Sequence, residues 1–374
     1  MLKNIRPPVF LVLTACAIFS SIFARSQESQ GPPASRPGAG IEKPSEGAIR
    51  VKVQVVNTPV AVRDAKNNVI LDLQKENFQI FDNKEKQTIE AFDLAGEPLS
   101  TVLVLETSSR VAPLLPTVRK SAIVFTQTVV GPSGSAAIIG YDKVIQRLQL
   151  FTENHETIEK AITNLKAGDK TARLYDALSD AVVLLRGQPS GRRRVILVVG
   201  EPLDTGSNEK FGQVLREAQL ANVVIYSVGL SSTAALALTE PQQSDPISAT
   251  PPGTFGMPPV PGTVQTLTSA QRQNAMSMDL GALAELAVRN APGLVINHPL
   301  EVATAATGGM YQSTFRNRTI EKALAAIGGD LNAQYTLSYN PTKSEQPGYH
   351  QIRIVVNRPG VKVRTRPGYY LEAK

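Results

Sequence analysis

The sequence predicts an α/β fold: a doubly wound, mostly parallel sheet with helices on both faces, plus small antiparallel β segments at both ends. Between residues 98 and 330, continuous apolar strands alternate with amphipathic helices, which is typical of a parallel sheet covered on both faces. Towards each end, short runs alternate apolar and polar residues with period two. Trp is absent and aromatic residues make up 5%, so aliphatic side chains must fill the core.

Residues 1–26 are predicted to be a secretory signal peptide. Lys3 and Arg6 precede an apolar run of 16 residues, from Val9 to Ala24, and a cleavage site is expected near Ser26. The run is shorter than the roughly 20 residues that span a bilayer. We therefore expect an exported protein, periplasmic or extracellular.

Two alternatives to cleavage are open. The apolar run could be retained as an anchor, or Cys16 could be lipidated, because it follows Leu-Thr-Ala as in a lipoprotein signal. Only these alternatives would place the protein at a membrane. Otherwise the sole cysteine leaves with the signal, and the mature chain has no disulfide or Cys-based metal site.

The charge pattern does not favour nucleic acid as a partner. Removing the signal with its three basic residues lowers the net charge from +7 by three, to +4. The single basic run, residues 192–194, has no interleaved aromatic residues. We interpret that run as a solvated approach to a strand.

The segments before the central region are a linker and a small β domain. Residues 27–47 are rich in Pro, Gly and Ser without periodicity and are predicted to be a disordered linker. Residues 48–97 contain alternating runs separated by polar turns, which predict a small antiparallel β domain.

The central region, residues 98–330, begins with an apolar strand that ends at Glu106. A helix is predicted over residues 111–129, then a strand pair, then a helix capped by Asn154. The segments that follow alternate helix and buried strand, in the order LYDALSDAVVLLRG, RRVILVVG, NEKFGQVLREAQL and ANVVIYSVGL.

A long insertion interrupts this alternation at residues 231–279. It carries seven prolines and almost no charge, which predicts a flexible, poorly packed segment. Helices are predicted to resume at residues 280–290 and 320–334. Residues 331–374 alternate again and form a predicted C-terminal β extension, which we expect to pack with the N-terminal β domain.

Oxygen-bearing residues follow three segments at the edge of the predicted sheet where ligands collect. Here the chain resembles von Willebrand factor A (VWA) domains, and specifically the VWFA-related family described in acidobacteria. The resemblance covers about residues 48–374 without the insertion. It rests on the stretches NFQIFDNKEKQTI, VLVLETSSR, TARLYDALSDAV, VILVVGEPLDTGS, TGGMY and RPGVKVRTRPGYY.

The resemblance implies a cation site of the D-x-S-x-S type with a distant Thr and an Asp. The matching positions here are Glu106, Ser108, Arg110, Thr171 and Glu201, of which only Ser108 and Thr171 keep the family residue. Mg²⁺ tolerates little distortion of its oxygen ligands. We therefore predict a degenerate site without metal or other cofactor.

Arg110 is predicted to replace the cation. A guanidinium forks well onto carboxylates, so we expect an internal ion pair with Glu106 and Glu201. The alternative is that Arg110 points to solvent and that weak Mg²⁺ binding survives at Glu106, Ser108, Thr171 and Glu201.

The other candidate residues favour structural roles. Asp204 could restore an acidic ligand or begin a helix, and Asp176 with Asp180 could be a carboxylate pair or a solvated helix face. The histidines, which show no metal-ligand spacing, are expected at the surface or in loops: His155, His298 and His350.

The function that these patterns and the resemblance imply is an exported protein-binding or adhesion module. Its partner would be an unidentified protein of the envelope or the exterior. No catalytic residues are predicted, because no set of carboxylates and bases converges on an open metal position. The alternatives are a structural or assembly component of the cell envelope and, less favoured, a metal-dependent hydrolase.

Overall fold

The computed structural model describes residues 55–94, 96–189, 191–231, 298–314, 319–342 and 347–371. All of them lie within one compact unit, residues 52–374. The predicted signal peptide, linker and residues 280–290, and the predicted insertion beyond its first residue, fall outside the described residues.

The described residues form fourteen strands and six α-helices. The strands are β1 (Val56–Arg63), β2 (Phe78–Asp82), β3 (Glu85–Gln87), β4 (Ala91–Leu94), β5 (Leu99–Glu106), β6 (Ser135–Tyr141), β7 (Ile145–Thr152), β8 (Arg193–Gly200), β9 (Val223–Gly229), β10 (Tyr311–Ser313), β11 (Tyr335–Tyr339), β12 (Gly348–Val356), β13 (Lys362–Thr365) and β14 (Gly368–Leu371). The helices are α1 (Leu115–Phe125), α2 (His155–Thr163), α3 (Leu174–Arg186), α4 (Phe211–Leu220), α5 (Pro299–Thr307) and α6 (Ile320–Leu331).

The central sheet has six strands in the order β10-β9-β8-β5-β6-β7. Neighbouring strands pair in parallel from β10 to β6, and β7 joins the edge antiparallel to β6. Every residue of β5 is buried, as its continuous apolar sequence predicts.

Helices cover both faces of this sheet, which confirms the predicted fold class. One apolar core contains the inward residues of α3, α4 and α5, and the other contains those of α1, α2 and α6. The predicted Asn154 cap is present, since its side chain accepts a hydrogen bond from the Thr157 backbone N–H. The helix predicted over 111–129 is α-helical at Leu115–Phe125 and ends in a π turn at Thr126–Val130.

Strands from the two ends of the unit share two antiparallel sheets. In one, β1 lies between β13 and β11, in the order β13-β1-β11-β4; in the other, β2 lies between β12 and β3, in the order β14-β12-β2-β3. Both sheets contribute to one apolar core. A short hairpin alone is marginally stable, so each end supplies strands that the other needs. The predicted domain boundaries stay a prediction.

A buried carboxylate joins these β sheets to the central sheet. Asp330, on α6, is 1% exposed and accepts hydrogen bonds from Arg63 of β1 at 3.2 Å and from Arg364 of β13. It also accepts from the hydroxyl of Tyr226 on β9 at 3.1 Å. Two guanidinium groups and a hydroxyl therefore satisfy this carboxylate.

The basic run at residues 192–194 is not the solvated approach that the sequence suggested. Arg193 donates to the carbonyl of Leu331 at 3.0 Å, and Arg194 donates to that of Ala221, also at 3.0 Å. These guanidinium groups satisfy orphan carbonyls near helix ends. Burial lowers the pKa of Arg193.

No helix among the described residues has the length and apolar character needed to cross a membrane.

Candidate functional site

The candidate site lies where β5 and β8 end side by side. These strands run in parallel with Leu105 opposite Val199, so Glu106 and the Gly200–Glu201 segment meet at the carboxyl edge of the sheet. Crevices at this edge are where open α/β sheets place their ligands.

Both carboxylate oxygens of Glu106 accept hydrogen bonds from the protein. Oε1 accepts from the Ser108 hydroxyl at 2.5 Å, and Oε2 accepts from the Glu201 backbone N–H at 2.6 Å. Glu106 is 0% exposed. The strand therefore ends in a carboxylate whose acceptors face inward.

Arg110 lies between the two glutamates, and the predicted ion pair is confirmed. Its Nη2 atom is 3.4 Å from Oε1 of Glu106, and its Nε atom is 2.8 Å from Oε2 of Glu201. The side chain of Arg110 is 24% exposed and that of Glu201 is 12% exposed. The guanidinium thus faces the carboxylates and keeps a solvent-facing part.

Burial dominates the electrostatics of Glu106. It raises the pKa of this carboxyl, while the hydrogen bonds from Ser108 and the Glu201 N–H lower it. The negative charge of Glu201 raises this pKa, and the positive charge of Arg110 lowers it. The raised pKa means that desolvation exceeds these compensating contacts.

Tyr141, at the end of β6, is a member of the site that the sequence analysis missed. It is fully buried, and burial followed by the charge of Glu106 raises the pKa of its hydroxyl well above the usual range. A Cβ at Gly200 would lie 2.2 Å from its hydroxyl and 2.9 Å from Oε2 of Glu106. The signal was available, because the strand after β5 ends in Tyr-Asp.

The fifth predicted position, Thr171, is engaged elsewhere. Its hydroxyl donates to Oδ1 of Asp169 at 2.6 Å, and its backbone N–H donates to the same atom at 2.9 Å. Direct contacts therefore join Glu106, Ser108, Arg110 and Glu201, and Thr171 stabilises its own loop. That any of the five binds a ligand stays a prediction.

The other acidic candidates stabilise the helices beside the site. Asp204 accepts from the Tyr175 backbone N–H at 3.1 Å, so it caps the start of α3 from the loop after β8. Asp176 accepts from the backbone N–H of Glu209 at 2.8 Å, and Asp180 pairs with Arg147. Asp176 and Asp180 are therefore not a catalytic pair.

These residues do not fit a divalent cation. Both oxygens of Glu106 already accept hydrogen bonds, the Ser108 hydroxyl donates to one of them, and a guanidinium stands beside both carboxylates. A metal ion needs lone pairs at that position, and it would repel the arginine. Within the described ranges, no group of three His, Cys, Asp or Glu side chains is placed to hold a metal.

The expectation for the histidines is wrong for one of them. His350, on β12, is 3% exposed, and its Nδ1 lies 2.9 Å from Oδ1 of Asp82. Period-two patterning does not distinguish a buried polar residue from an outward-facing one, so the sequence suggested the surface.

Comparison with known proteins gives fold likenesses. No protein-family model matches the sequence, and no curated protein matches it. Solved structures similar to it include VWA domains. BatB from Bacteroides thetaiotaomicron, titled a conserved hypothetical protein, is 12% identical, with 62% of this chain and 97% of that chain covered and a TM-score of 0.40.

Two further similar structures are described as VWA or vWF domains. The SpRpn10 VWA domain is 14% identical over 37% of this chain and 78% of that chain, with a TM-score of 0.31. The vWF domain of the type V pili tip protein Mfa5 from Porphyromonas gingivalis is 19% identical over 30% and 41%, with a TM-score of 0.28. The function proposed below rests on the residues of the site.

Proposed function

We propose that this chain is an exported, VWA-like protein-binding module for adhesion or assembly, and that its binding site works without a metal ion. The observation that carries the proposal is the position of Arg110 between Glu106 and Glu201 at the carboxyl edge of the sheet. A permanent cation from the chain itself takes the place that a bound metal would need.

Arg110 can also contact a partner. Its Nε and Nη2 atoms face the glutamates, and a guanidinium carries five N–H donors in all, so donors remain for a partner's oxygen atoms. Leu203, in the loop after Glu201, is 47% exposed and adds apolar surface beside the site. A charged centre with an apolar neighbour is typical of protein interfaces.

The proposed partner is a protein of the envelope or the exterior. The main alternative is a structural or assembly component of the envelope, in which the α/β unit is only a spacer. A hydrolase is less favoured, because the carboxylates of the site are engaged by Ser108, Arg110 and a backbone N–H.

Site-specific photo-crosslinking in the native host separates these functions. A photoreactive residue at Leu203 is expected to capture a partner with saturable yield. The matched control is a probe at Leu71, which is 50% exposed in the connection between β1 and β2. Equal yields at both positions, or none, would support the spacer.

The same assay tests the role of the ion pair. Arg110→Gln is expected to reduce capture at Leu203 at least tenfold, while Arg147→Gln, which removes an exposed ion pair with Asp180, should leave it unchanged. Capture should also be insensitive to a chelator. Loss of capture with the chelator would instead show that a metal takes part.

A further inference from the structure

A second polar cluster is buried in the antiparallel sheets, apart from the candidate site. Its members come from β2, β11, β12, β14 and the turn before β14, and each is at most 5% exposed: Asp82, Tyr339, His350, Arg366 and Tyr369. Buried polar groups are normally satisfied by hydrogen bonds. One member of this cluster departs from that rule.

The carboxylate of Asp82 is saturated by three donors. Its Oδ2 accepts from the hydroxyls of Tyr339 at 3.0 Å and Tyr369 at 2.8 Å. Its Oδ1 lies 2.9 Å from Nδ1 of His350, and since a carboxylate only accepts, that nitrogen carries the hydrogen. Asp82 is therefore committed to these three residues.

Arg366 is left with an unsatisfied edge. Its Nε and Nη2 atoms are buried, and none of the described residues accepts a hydrogen bond from them. These two atoms form the edge of a guanidinium that forks onto an anion. Burial lowers the pKa of Arg366, the direction expected when the cation is poorly solvated.

We propose that the Nε–Nη2 edge of Arg366 binds a small inorganic anion of the chloride class. A water molecule can accept from one of the two N–H groups, but it cannot offset the buried positive charge. A monatomic anion does both, and its size suits a buried position between strands.

The surrounding charges make anion binding depend on pH. The groups that face Arg366 are Asp82 from β2, Tyr339 from β11, Tyr349 from β12 and Tyr369 from β14, and His350 faces Asp82. Asp82 and Arg366 offset each other, so an added anion leaves a buried negative charge unless His350 is protonated. Uptake of the anion and of a proton by His350 are therefore coupled.

Bromide in place of chloride gives the direct test. Crystals of the wild-type protein grown in bromide at about pH 5.5 should show an anomalous peak within hydrogen-bonding distance of Nε and Nη2 of Arg366. Water or no density at that edge, with bromide only elsewhere, would overturn the proposal. This test needs no variant to fold.

Solution measurements at constant ionic strength test the same site. Replacing a bulky organic anion with chloride should raise the melting temperature of the wild type, and chloride affinity should fall up to tenfold per pH unit above the histidine titration. His350→Gln should remove this pH dependence. Arg366→Gln should abolish the chloride shift, while Arg353→Gln, an exposed arginine that stacks on Phe81 in the same sheet, should retain it. An equal shift in both arginine variants would contradict the assignment.

Discussion

The backbone N–H of Glu201 donates a hydrogen bond of 2.6 Å to Oε2 of Glu106, which ties the ends of two parallel strands together. The same glutamates hold Arg110 between their side chains. The site is thus closed by contacts within the chain. This arrangement makes its response to metal, charge removal and added volume predictable.

The first prediction concerns metal binding. Titration calorimetry of the wild type with Mg²⁺ should show no binding tighter than about millimolar, because Arg110 occupies the cation position. The triple variant Glu106→Asp, Arg110→Ser, Glu201→Asp should bind Mg²⁺ and gain stability as RT ln(1 + [L]/Kd). One-site binding by the wild type at micromolar concentration would refute the replacement of the metal by arginine.

The second prediction concerns the loss of Arg110. Arg110→Ser should lower the free energy of unfolding by about 3 kcal/mol, the low end for a broken buried pair because Arg110 is partly hydrated. Arg147→Ser, which removes a more exposed pair, should cost about 0–1 kcal/mol. Chemical denaturation measures both values.

A third prediction uses the pH dependence of stability. Because burial raises the folded-state pKa of Glu106 above its usual 4.5, the folded state binds this proton more tightly than the unfolded state. The contribution to stability is fully present below about pH 4.5 and is lost as pH rises through the folded-state pKa.

Glu106→Gln isolates that contribution. It should flatten this part of the pH profile, and it should be more favourable in the Arg110→Ser background, where the carboxylate has lost its cation. Thermal unfolding between about pH 4 and pH 8 measures the difference. An unchanged profile in Glu106→Gln would mean that other groups dominate this range.

A fourth prediction concerns Asp330. Asp330→Asn leaves Arg63 and Arg364 without their carboxylate and should lower the free energy of unfolding by about 3 kcal/mol or more. Asp72→Asn, which breaks an exposed pair with Arg358, is the matched control and should cost about 0–1 kcal/mol. Equal costs would show that Asp330 does not stabilise the junction of the sheets.

The last prediction adds volume at the site. Gly200→Ala would place a methyl group against the Tyr141 hydroxyl and Glu106, and it should destabilise the protein by about 1–3 kcal/mol. Gly191→Ala meets no atom within 4 Å and should change stability by less than about 0.5 kcal/mol. A neutral Gly200→Ala would show that the site has room to expand.

Much of the fold and part of the site could be predicted from local sequence. The continuous apolar strands predicted the parallel sheet, and the position of Glu106 at a strand end placed it at the ligand edge. The spacing from Glu106 to Arg110, four residues, let their opposite charges predict contact. These features follow from the geometry of single elements and short connections.

The contacts of Thr171 and His350 could not be predicted in this way. Thr171 bonds Asp169, two residues away, although the family pattern suggested the cation site. His350 bonds Asp82 across 268 residues of sequence. A pattern of apolar and polar residues indicates which side of an element is buried, but not which other element covers that side.

The sequence by itself therefore determined the elements, their order and the charges at the end of β5. Only the tertiary structure decided that strands from both ends share two sheets and that Tyr141 lies beside Glu106. It also decided that Asp82 satisfies three donors and leaves one edge of Arg366 without an acceptor among the described residues. Periodicity is a local property, whereas pairing between distant strands depends on how all the buried surfaces fit together.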